Sequence, residues 1–521
     1  MRQIPIAVVS QLITALLSPL WFAGTAFGAT ATLTPERWSI TNARIVDGSG
    51  DPAYLGEVWI RGDRIERVMS LSAARRSADQ RPAGLRIDAQ RKVLAPGFVD
   101  PHAHGDPLET PDFTNALAMG VTTLTLGMDG RSPDVADIAA YQQRVGESGI
   151  RPNIAWFVGH GTLRMQAGVF LDPDPSDAQL AELARRLNAA LDLTFGLSTG
   201  LEYNPGLHAP ERELIALAKV VGRRDRLIAS HLRSEDDDRL EDAIGELVRQ
   251  GEHARVHVSH LKSVYGQGSE RAAELLATLQ AARERGIEIS ADVYPYSASY
   301  TGLALLFPVW AKTAEAFASA RLERREALLD HLRTRVNSRN GPGATLLGTG
   351  GYRGKTLKDL ENEFKKPFEA ILVEDLGPGA GSAAYFVMDQ ALQYHLLSGP
   401  EVSVSSDGSP TSYHPRGHGT YARVIEQLVL EDGRLPLETA IKKMTSLPAR
   451  QLGIKNRGCL AAGCYADLVL FDPGAVTETA SYLEPLSPAE GFNAVWVNGT
   501  LSYGGDTPST VRAGRVLIPA D

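Results

Sequence analysis

The sequence predicts an α/β protein: a (β/α)8, TIM-like barrel with a small β-domain built from both chain ends and an insertion after the seventh barrel strand. Three observations support this fold class. Short apolar runs alternate with segments of helical periodicity, polar clusters rich in His, Asp and Tyr follow these runs, and further short β-type runs flank the alternation at both ends.

The eight apolar runs have the length and composition of buried parallel strands. They are residues 93–99, 121–126, 154–158, 193–197, 227–230, 255–259, 287–293 and 402–405. Segments of helical period separate most of them, namely residues 134–145, 177–191, 211–221, 238–249 and 270–285. An open, doubly wound sheet uses the same units, so the number of strands alone does not decide between the two architectures.

The polar clusters at the ends of these runs favour the barrel. Examples are Asp-Pro-His-Ala-His at residues 100–104, Asp-Val-Tyr-Pro-Tyr at 292–296 and Ser-Asp-Gly at 406–408. In a barrel, the C-terminal ends of all strands converge on one mouth, where catalytic residues gather. In an open sheet, the same clusters would be spread along an edge.

We expect the barrel to span residues 93–450. Residues 36–92 and 451–521 contain short β-runs with turns, which predict the N-terminal and C-terminal parts of the small β-domain. Residues 303–387 form the predicted insertion, which combines helical stretches with a Gly-rich patch. Because the insertion follows strand seven, it is expected over the mouth, either as a lid or substrate wall or as a structural excursion on the rim.

Residues 1–29 resemble a secretory signal peptide, with Arg2 before a long apolar run and small residues up to Ala29. A retained anchor is the alternative, because the run approaches the ~20 residues that span a bilayer. Cleavage would give a secreted, periplasmic protein with no membrane segment. The net charge of −9 argues against nucleic acid or an anionic membrane surface as partner. The sequence indicates no oligomeric state.

The two cysteines, Cys459 and Cys464, lie close together in a predicted β-hairpin. In an oxidising periplasm they could form a disulfide, provided that the short hairpin allows the geometry. The alternative is a pair of small, partly buried residues without a covalent link. The sequence leaves the choice open.

Several candidate metal ligands follow different strands. His102 and His104 flank one residue, so strand alternation points both imidazoles to the same face. His231 and His260 follow the fifth and sixth runs, and Asp407 follows the eighth. Each residue alone is more often an ordinary hydrogen-bonded side chain. Together, these nitrogen and oxygen donors predict a metal site of the kind that holds zinc.

The segment Pro-Gly-Phe-Val-Asp-Pro-His-Ala-His at residues 96–104, with these ligands, resembles the amidohydrolase superfamily. Further blocks resemble the D-aminoacylase, or N-acyl-D-amino-acid deacylase, family. They lie at residues 196–203, 259–262, 292–296, 406–408, 414–416, 444–450, 457–469 and 496–499. The resemblance extends from about residue 36 to the C-terminus.

The resemblance implies zinc-dependent hydrolysis of a small N-acyl-D-amino acid to a carboxylate and a D-amino acid, with one or two ions. It makes His102 and His104 ligands of one metal position and His231 and His260 ligands of the other. Asp407 would be a ligand at the centre and also its general base and acid. Three residues match positions that hold the substrate carboxylate and a fourth lines the same pocket, namely Lys262, Tyr294, Arg416 and Tyr203. The metal, helped by a tyrosine or by a histidine such as His160, would stabilise the developing oxyanion.

One position departs from the family pattern. D-aminoacylases generally carry a cysteine ligand within Asn-Cys-Gly after strand two, whereas this chain reads Met128-Asp129-Gly130. Asp129 can ligate zinc and bridge two ions, and its harder oxygen would admit manganese or cobalt. Alternatively, Asp129 is a plain loop residue, or Glu202 supplies the carboxylate. The departure leaves the number of metal ions open.

Three rival functions remain at this stage: a dipeptidase, a cyclic-amide hydrolase and a non-catalytic periplasmic metal-binding protein. An Arg and a Lys that bind a carboxylate favour a linear substrate over a cyclic imide, but they fit a dipeptide equally well. Residues 191–201 contain no lysine, which counts against enzymes that bridge their metals with a modified lysine there. A protein that only binds metal would not need Asp407 beside four histidines.

Overall fold

The computed structural model describes residues 36–504 and 511–519. The predicted signal peptide, residues 1–29, lies outside this part of the chain. Within the described ranges, no helix is both long and apolar enough to cross a membrane.

The strands of the described residues are numbered here in chain order. They are β1 Arg37–Ile45, β2 Tyr54–Arg61, β3 Arg64–Ser70, β4 Arg86–Asp88, β5 Val93–Pro96, β6 Phe98–Asp100, β7 Val121–Leu126, β8 Asn153–Trp156, β9 Val158–Gly159, β10 Gly196–Gly200, β11 Leu227–His231, β12 Arg255–Val258, β13 Ile289–Val293, β14 Ser299–Gly302, β15 Thr345–Leu347, β16 Ser382–Tyr385, β17 Val402–Val404, β18 Leu468–Phe471, β19 Phe492–Val497 and β20 Thr500–Tyr503.

The α-helices are numbered in the same way. They are α1 Leu71–Arg76, α2 Thr114–Ala118, α3 Ile138–Ser148, α4 His160–Gln166, α5 Asp177–Ala190, α6 Glu211–Arg223, α7 Leu240–Gly251, α8 Gly268–Glu284, α9 Ala314–Glu323, α10 Arg325–Ser338, α11 Leu357–Phe364, α12 Phe368–Ile371, α13 Gln390–Leu396, α14 Arg416–Arg423, α15 Leu437–Met444 and α16 Ser446–Leu452. The π-helical stretches Leu372–Leu376 and Val424–Glu431 continue α12 and α14.

Parallel strands form the predicted barrel. One group runs β6–β7–β8 and the other runs β9–β10–β11–β12–β13–β17, with β8 and β9 forming two halves of the third strand. Backbone hydrogen bonds join the ends of the first and eighth strands: Asp407 donates to the carbonyl of His102, and His104 donates to the carbonyl of Gly408, both at 2.8 Å. The barrel is therefore closed where the candidate ligands lie, which confirms the predicted fold class.

The five predicted outer helices are present as α3, α5, α6, α7 and α8. Helix α5 begins at a capping box, because the Ser176 side chain accepts from the Gln179 backbone and the Gln179 side chain accepts from the Ser176 backbone. Leu183 and Leu187 on its inner face are fully buried. The capping box thus sets where α5 begins, and the spacing of its apolar residues sets which face it packs on the barrel.

The prediction of one continuous first strand over residues 93–99 is wrong. Val93–Pro96 belongs to the small sheet, where it pairs with β1 and β18, and the barrel strand begins at Phe98. Between them, a Cβ on Gly97 would lie 2.3 Å from side-chain atoms of Thr122, so only glycine fits where the chain passes from sheet to barrel. Because all residues of the run are buried, periodicity could not reveal this break.

The predicted fourth strand, residues 193–197, is also displaced. It forms at Gly196–Gly200 instead, because Leu193 and Thr194 belong to the turn that follows α5. The side-chain hydroxyl of Thr194 donates to the carbonyl of Ala190, which holds this turn against the helix end. The shift moves Gly200 to the strand's C-terminal end, next to Glu202 and Tyr203.

Both chain ends build the small β-domain, as predicted. Its strands follow the order β20–β19–β18–β5–β1–β2–β3, and β4 pairs with β1. The core of this sheet contains Trp38 and Trp496, whose ring centroids lie 5.7 Å apart. A disulfide joins Cys459 and Cys464, with 6.3 Å between their Cα atoms. The two residues lie in a turn and not in the predicted β-hairpin, because the segment between α16 and β18 contains only an isolated bridge residue, Tyr465.

The insertion has its own antiparallel sheet, β14–β16–β15, and helices α9 to α12. The sheet already begins at Ser299, before the predicted start at residue 303. Buried leucines of α10 and α11, including Leu332 and Leu360, pack in a separate hydrophobic cluster. Leu305 and Arg339 from this segment line the cavity at the barrel mouth, so the insertion forms part of the cavity wall.

Candidate metal centre and active site

The six predicted metal ligands meet at the C-terminal ends of the barrel strands. One set of donor atoms within 4.8 Å of one another comes from His102, His104, Asp129 and Asp407, and a second comes from Asp129, His231 and His260. Asp129 belongs to both sets. Its Oδ1 atom lies 3.3 Å from Nε2 of His102 and 3.3 Å from Nε2 of His260. The aspartate in the place of the family cysteine therefore faces both possible metal positions.

Three of these residues have a left-handed backbone conformation, which sets the direction of their side chains. The φ angles are +55° at Asp129, +37° at His260 and +47° at Asp407. Such angles are uncommon for residues with a side chain and concentrate at functional sites, where neighbouring structure holds them. Gly130 allows the tight approach beside Asp129, because a Cβ there would lie 2.9 Å from the Gly200 backbone nitrogen.

The residues present fit a divalent metal ion. Both ring nitrogens of His102 are buried and neither makes a hydrogen bond within the described ranges, although Nε2 lies 3.3 Å from Asp129 Oδ1. A buried nitrogen in this state is costly unless a ligand such as a metal ion takes its lone pair. Burial lowers the pKa of His102, so the neutral imidazole that can donate a lone pair is favoured. Imidazole and carboxylate are donors that zinc, manganese and cobalt accept.

Two buried aspartates support the segments that carry these ligands. Asp292 accepts from Nε2 of His257 at 2.7 Å and from the backbone of His260 at 2.9 Å. Asp100 accepts from the Ser406 backbone, next to Asp407, at 3.1 Å. Burial raises the pKa of Asp100 to about 7. In the sequence, Asp100 directly follows the first predicted run and Asp292 lies near the end of the seventh, which is the signal that marks them.

The predicted substrate-binding residues Lys262, Tyr294, Arg416 and Tyr203 line one cavity of about 810 Å³ together with His104, Asp129 and Asp407. Arg416 Nη1 lies 2.7 Å from Asp407 Oδ2. The Tyr294 ring is close to both cations, with its centroid 4.8 Å from the Arg416 guanidinium and 5.5 Å from Lys262 Nζ. The Tyr294 hydroxyl is buried without a partner in the described residues, so a ligand in this cavity could accept its hydrogen bond.

Two glutamates adjoin the histidines. Glu202 Oε2, considered above as the alternative carboxylate, lies 3.3 Å from Nε2 of His231. Glu235, which the sequence analysis missed, lies 3.2 Å from Nδ1 of His260 and 2.5 Å from Lys262 Nζ. Its signal is a carboxylate four residues after His231, beyond the end of the fifth strand. Lys262 is therefore already paired with a carboxylate of its own chain.

The prediction that His160 stabilises an oxyanion does not fit the structure. Its Nε2 atom lies 2.6 Å from Glu213 Oε1, and both side chains are fully buried. Arg164 contacts the other oxygen of Glu213 at 2.8 Å. His160 is not among the residues that line the main cavity. This buried cluster links α4 to α6 instead.

The amidohydrolase family matches residues 368–517. The N-acyl-D-aspartate deacylase of Alcaligenes xylosoxydans xylosoxydans is 33% identical, over 92% of this chain and 95% of that protein. The chain belongs to the D-aminoacylase (N-acyl-D-amino-acid deacylase) family. It is accordingly a metal-binding hydrolase that acts on amide bonds.

Solved structures of this family share the fold. The N-acyl-D-glutamate deacylase from Bordetella bronchiseptica, complexed with zinc and a phosphonate inhibitor, is 31% identical and superposes with a TM-score of 0.79 over 92% of this chain and 99% of that one. A D-aminoacylase with a binuclear metal centre is 30% identical, with a TM-score of 0.77 over the same shares.

Proposed function

We propose that this protein is a zinc-dependent deacylase of N-acyl-D-amino acids, which it cleaves to a carboxylate and a free D-amino acid. One observation carries the proposal: a single cavity at the barrel mouth joins the histidine and aspartate cluster to the cations Lys262 and Arg416. The cluster suits activation of an amide, and the cations suit a substrate with a free carboxylate. The relatives named above act on N-acyl-D-amino acids, which supports the preferred enantiomer.

The zinc would be held by His102, His104, Asp129, His231, His260 and Asp407, as one or two ions. When bound, such a metal polarises an amide carbonyl and lowers the pKa of water to about 7. The oxygen of Asp129 also accommodates manganese or cobalt. The imidazole nitrogens and carboxylate oxygens of these six residues are thus donors of the type that zinc binds.

Asp407 would be the general base and then the general acid. Burial alone would raise its pKa, but the positive charge of Arg416 and the hydrogen bond with His104 hold the pKa of this carboxyl well below its usual range. The carboxylate is therefore ionised at neutral pH and can accept a proton at Oδ1 or Oδ2. It would deliver this proton to the nitrogen of the leaving amine.

Lys262, Arg416 and Tyr294 would hold the α-carboxylate of the substrate. Burial raises the pKa of Tyr294 to about 12, so its phenol stays protonated and can donate. Burial would lower the pKa of Lys262, but Glu235 raises it above the usual value and keeps the ammonium charged. Tyr203 forms the wall beside them, with its ring centroid 4.5 Å from that of His231.

We place this reaction in the periplasm. The support is the pattern of residues 1–29, in which one basic residue precedes an apolar run and a stretch of small residues. Mass spectrometry of the N-terminus after expression in a Gram-negative host tests it. A mature chain beginning near Ala29 would support export, and an intact Met1 in a cytoplasmic fraction would contradict it.

A panel of N-acetyl-D- and N-acetyl-L-amino acids tests the function, with metal content measured on the same sample. We expect turnover of D-enantiomers only and at least one zinc per chain. Turnover of dipeptides without turnover of N-acetyl amino acids would replace the proposal with a dipeptidase. A metal-loaded protein inactive on every amide would favour a binding function.

A further inference from the structure

We propose that a side pocket next to the metal ligands binds the acyl group of the substrate and that this group is an apolar chain longer than acetyl. The inference rests on the proposed function and specifies the acyl half of its substrate. The side pocket has a volume of about 260 Å³. It shares Asp129, Arg131 and Tyr203 with the main cavity, so it adjoins the place where the candidate ligands meet.

The side pocket lies across the barrel mouth from the predicted carboxylate-binding residues. Lys262, Tyr294 and Arg416 follow strands six, seven and eight, whereas the segments that line the side pocket end or follow strands two, three and four. In a closed barrel of eight strands, these two groups of strands face each other across the axis. A substrate whose α-carboxylate is held on one side, with its amide at the metal ligands, therefore directs its acyl group to the other side.

The surface of the side pocket is mainly apolar, with four glycines and Pro205 in its lining. Apart from the residues shared with the main cavity, its polar side chains are already hydrogen-bonded within the chain. Thr162 Oγ1 accepts from the Ser132 backbone at 3.0 Å, and Asn204 Oδ1 lies 3.1 Å from Nε2 of His208. An apolar group gains free energy when it leaves water for such a surface. The chemistry of the lining thus favours a hydrocarbon chain.

A buried cluster fixes the wall of the side pocket that carries Thr162 and Met165. Both residues lie on α4, whose first residue, His160, contacts Glu213 of α6 at 2.6 Å. Arg164 of the same helix contacts the other oxygen of Glu213 at 2.8 Å. All three side chains of this cluster are fully buried. The helix is therefore anchored before a ligand arrives, which is typical of binding pockets for small molecules.

The volume of the side pocket exceeds what an acetyl group needs. One water molecule, which is similar in size to a methyl group, occupies about 30 Å³. The side pocket therefore has room for several methylene groups. Each methylene that becomes fully buried favours binding by about fourfold. We therefore expect kcat/KM to increase with the length of the acyl chain.

The test measures kcat/KM of the zinc-loaded enzyme for the N-acetyl, N-butanoyl and N-hexanoyl derivatives of one D-amino acid. We expect an increase of at least about 10-fold from acetyl to hexanoyl, since an open pocket buries only part of the chain. Met165→Ala should lower the ratio of hexanoyl to acetyl kcat/KM by about threefold or more, because it removes apolar contact area. Of the two cavities, Met165 lines only the side pocket.

Leu171→Ala is the matched control, because Leu171 is also a partly exposed apolar residue of this segment but lines neither cavity. It should leave the hexanoyl-to-acetyl ratio within about 1.5-fold of the wild-type value. Leu305→Ala tests the rival wall, because Leu305 lines the main cavity. Loss of the ratio in Leu305→Ala but not in Met165→Ala would place the acyl chain against the insertion and overturn the assignment.

An N-glutaryl derivative tests the rival acyl chemistry. Its chain is similar in length to hexanoyl but ends in a carboxylate, which could reach Arg131, an exposed cation that lines both cavities. A preference for glutaryl over hexanoyl would assign the side pocket to an anion and overturn the proposal. Turnover of N-acetyl substrates with no increase for longer acyl chains would refute the inference and leave the proposed function standing. Inactivity on every N-acyl amino acid would refute both.

Discussion

Arg416 Nη1 lies 2.7 Å from Asp407 Oδ2, and both side chains are buried at the mouth of the barrel. Arg416, which is predicted to bind the substrate carboxylate, thus contacts Asp407, which is the predicted general base. In the proposed function, a substrate carboxylate that reaches Arg416 would compete with Asp407 for the same guanidinium. Substrate binding and proton transfer would then be coupled through this pair, and a change at either residue would affect the other.

Asp407→Asn should lower kcat by about 10³-fold or more while leaving metal in the protein. The amide keeps the shape of the carboxylate but cannot accept a proton at neutral pH, and general acid–base catalysis contributes roughly 10²- to 10⁴-fold. The four histidines and Asp129 remain to hold the ion. Initial rates and elemental analysis of the same preparation provide the measurement.

Asp134→Asn is the matched control for this change. Asp134 lines the same cavity but is exposed, and its side chain accepts from the Ala136 backbone at 2.9 Å, a contact that asparagine can also make. We expect its kcat to stay within about twofold of the wild type, since exposed substitutions are usually mild. Activity retained in Asp407→Asn would remove Asp407 from the mechanism.

Tyr294→Phe should raise KM without lowering stability. The Tyr294 hydroxyl is buried without a partner in the described residues, so its removal leaves no group of the chain unpaired. A hydrogen bond to a charged ligand is worth about 1.5–3 kcal/mol, which predicts a KM roughly 10- to 100-fold higher. Steady-state kinetics and thermal unfolding of the variant test both halves of the prediction.

Tyr385→Phe is the control for Tyr294→Phe, because it removes a buried tyrosine hydroxyl that does have a partner in the chain. Its hydroxyl already donates to the carbonyl of Gly302 at 3.3 Å, so the substitution should lower the melting temperature while changing KM by less than about threefold. If Tyr294→Phe also lowered the melting temperature and left KM unchanged, its hydroxyl would have a structural partner rather than a substrate.

The sequence was sufficient for residues whose place follows from topology. His102, His231, His260 and Asp407 follow separate strands, and a closed parallel barrel brings the ends of those strands together. This part of the site therefore depends on strand order alone. Errors of a few residues in the predicted strand ends did not affect the prediction of these four ligands.

Other features depend on contacts between distant parts of the chain. The break at Gly97 is set by its closeness to Thr122, which no local pattern records. Arg339 lies in the insertion, which packs against the barrel mouth through contacts with residues distant in the chain. The residues beside Arg339 in the sequence indicate only that a helix ends there. The pairing of Lys262 with Glu235 depends likewise on two loops meeting. Sequence patterns report local periodicity, and they do not predict tertiary contacts between side chains of this kind.

Asp129→Cys should shift metal preference towards zinc. Thiolate is softer than carboxylate and favours zinc over manganese, so the ratio of zinc to manganese affinity should rise by about 10-fold or more. Cys459 and Cys464 are joined, so the new thiol would be the only free one in the described residues. Competitive dialysis against both ions, followed by elemental analysis, measures the ratio. An unchanged ratio would exclude Asp129 as a ligand.

Lys443 predicts a pH dependence of stability far from the metal centre. Lys443 is 4% exposed, and its ammonium donates to the carbonyls of Gly399, just before β17, and of Val402, the first residue of β17. Burial lowers the pKa of Lys443 to about 8, below the value of about 10.4 for an unfolded lysine. Between these two values the unfolded state binds more protons, so rising pH favours the folded state.

The free energy of unfolding of the wild type, minus that of Lys443→Met, should therefore increase as the pH rises from about 8 towards 10 and stay level below 8. Urea unfolding at several pH values provides both quantities. Lys442→Met is the control, because it removes the exposed neighbouring amine but leaves the burial of Lys443, the main cause of its lowered pKa, and should therefore keep most of the wild-type pH dependence. A difference that falls with rising pH would mean that the buried ammonium is stabilised by its two carbonyls more than burial penalises it.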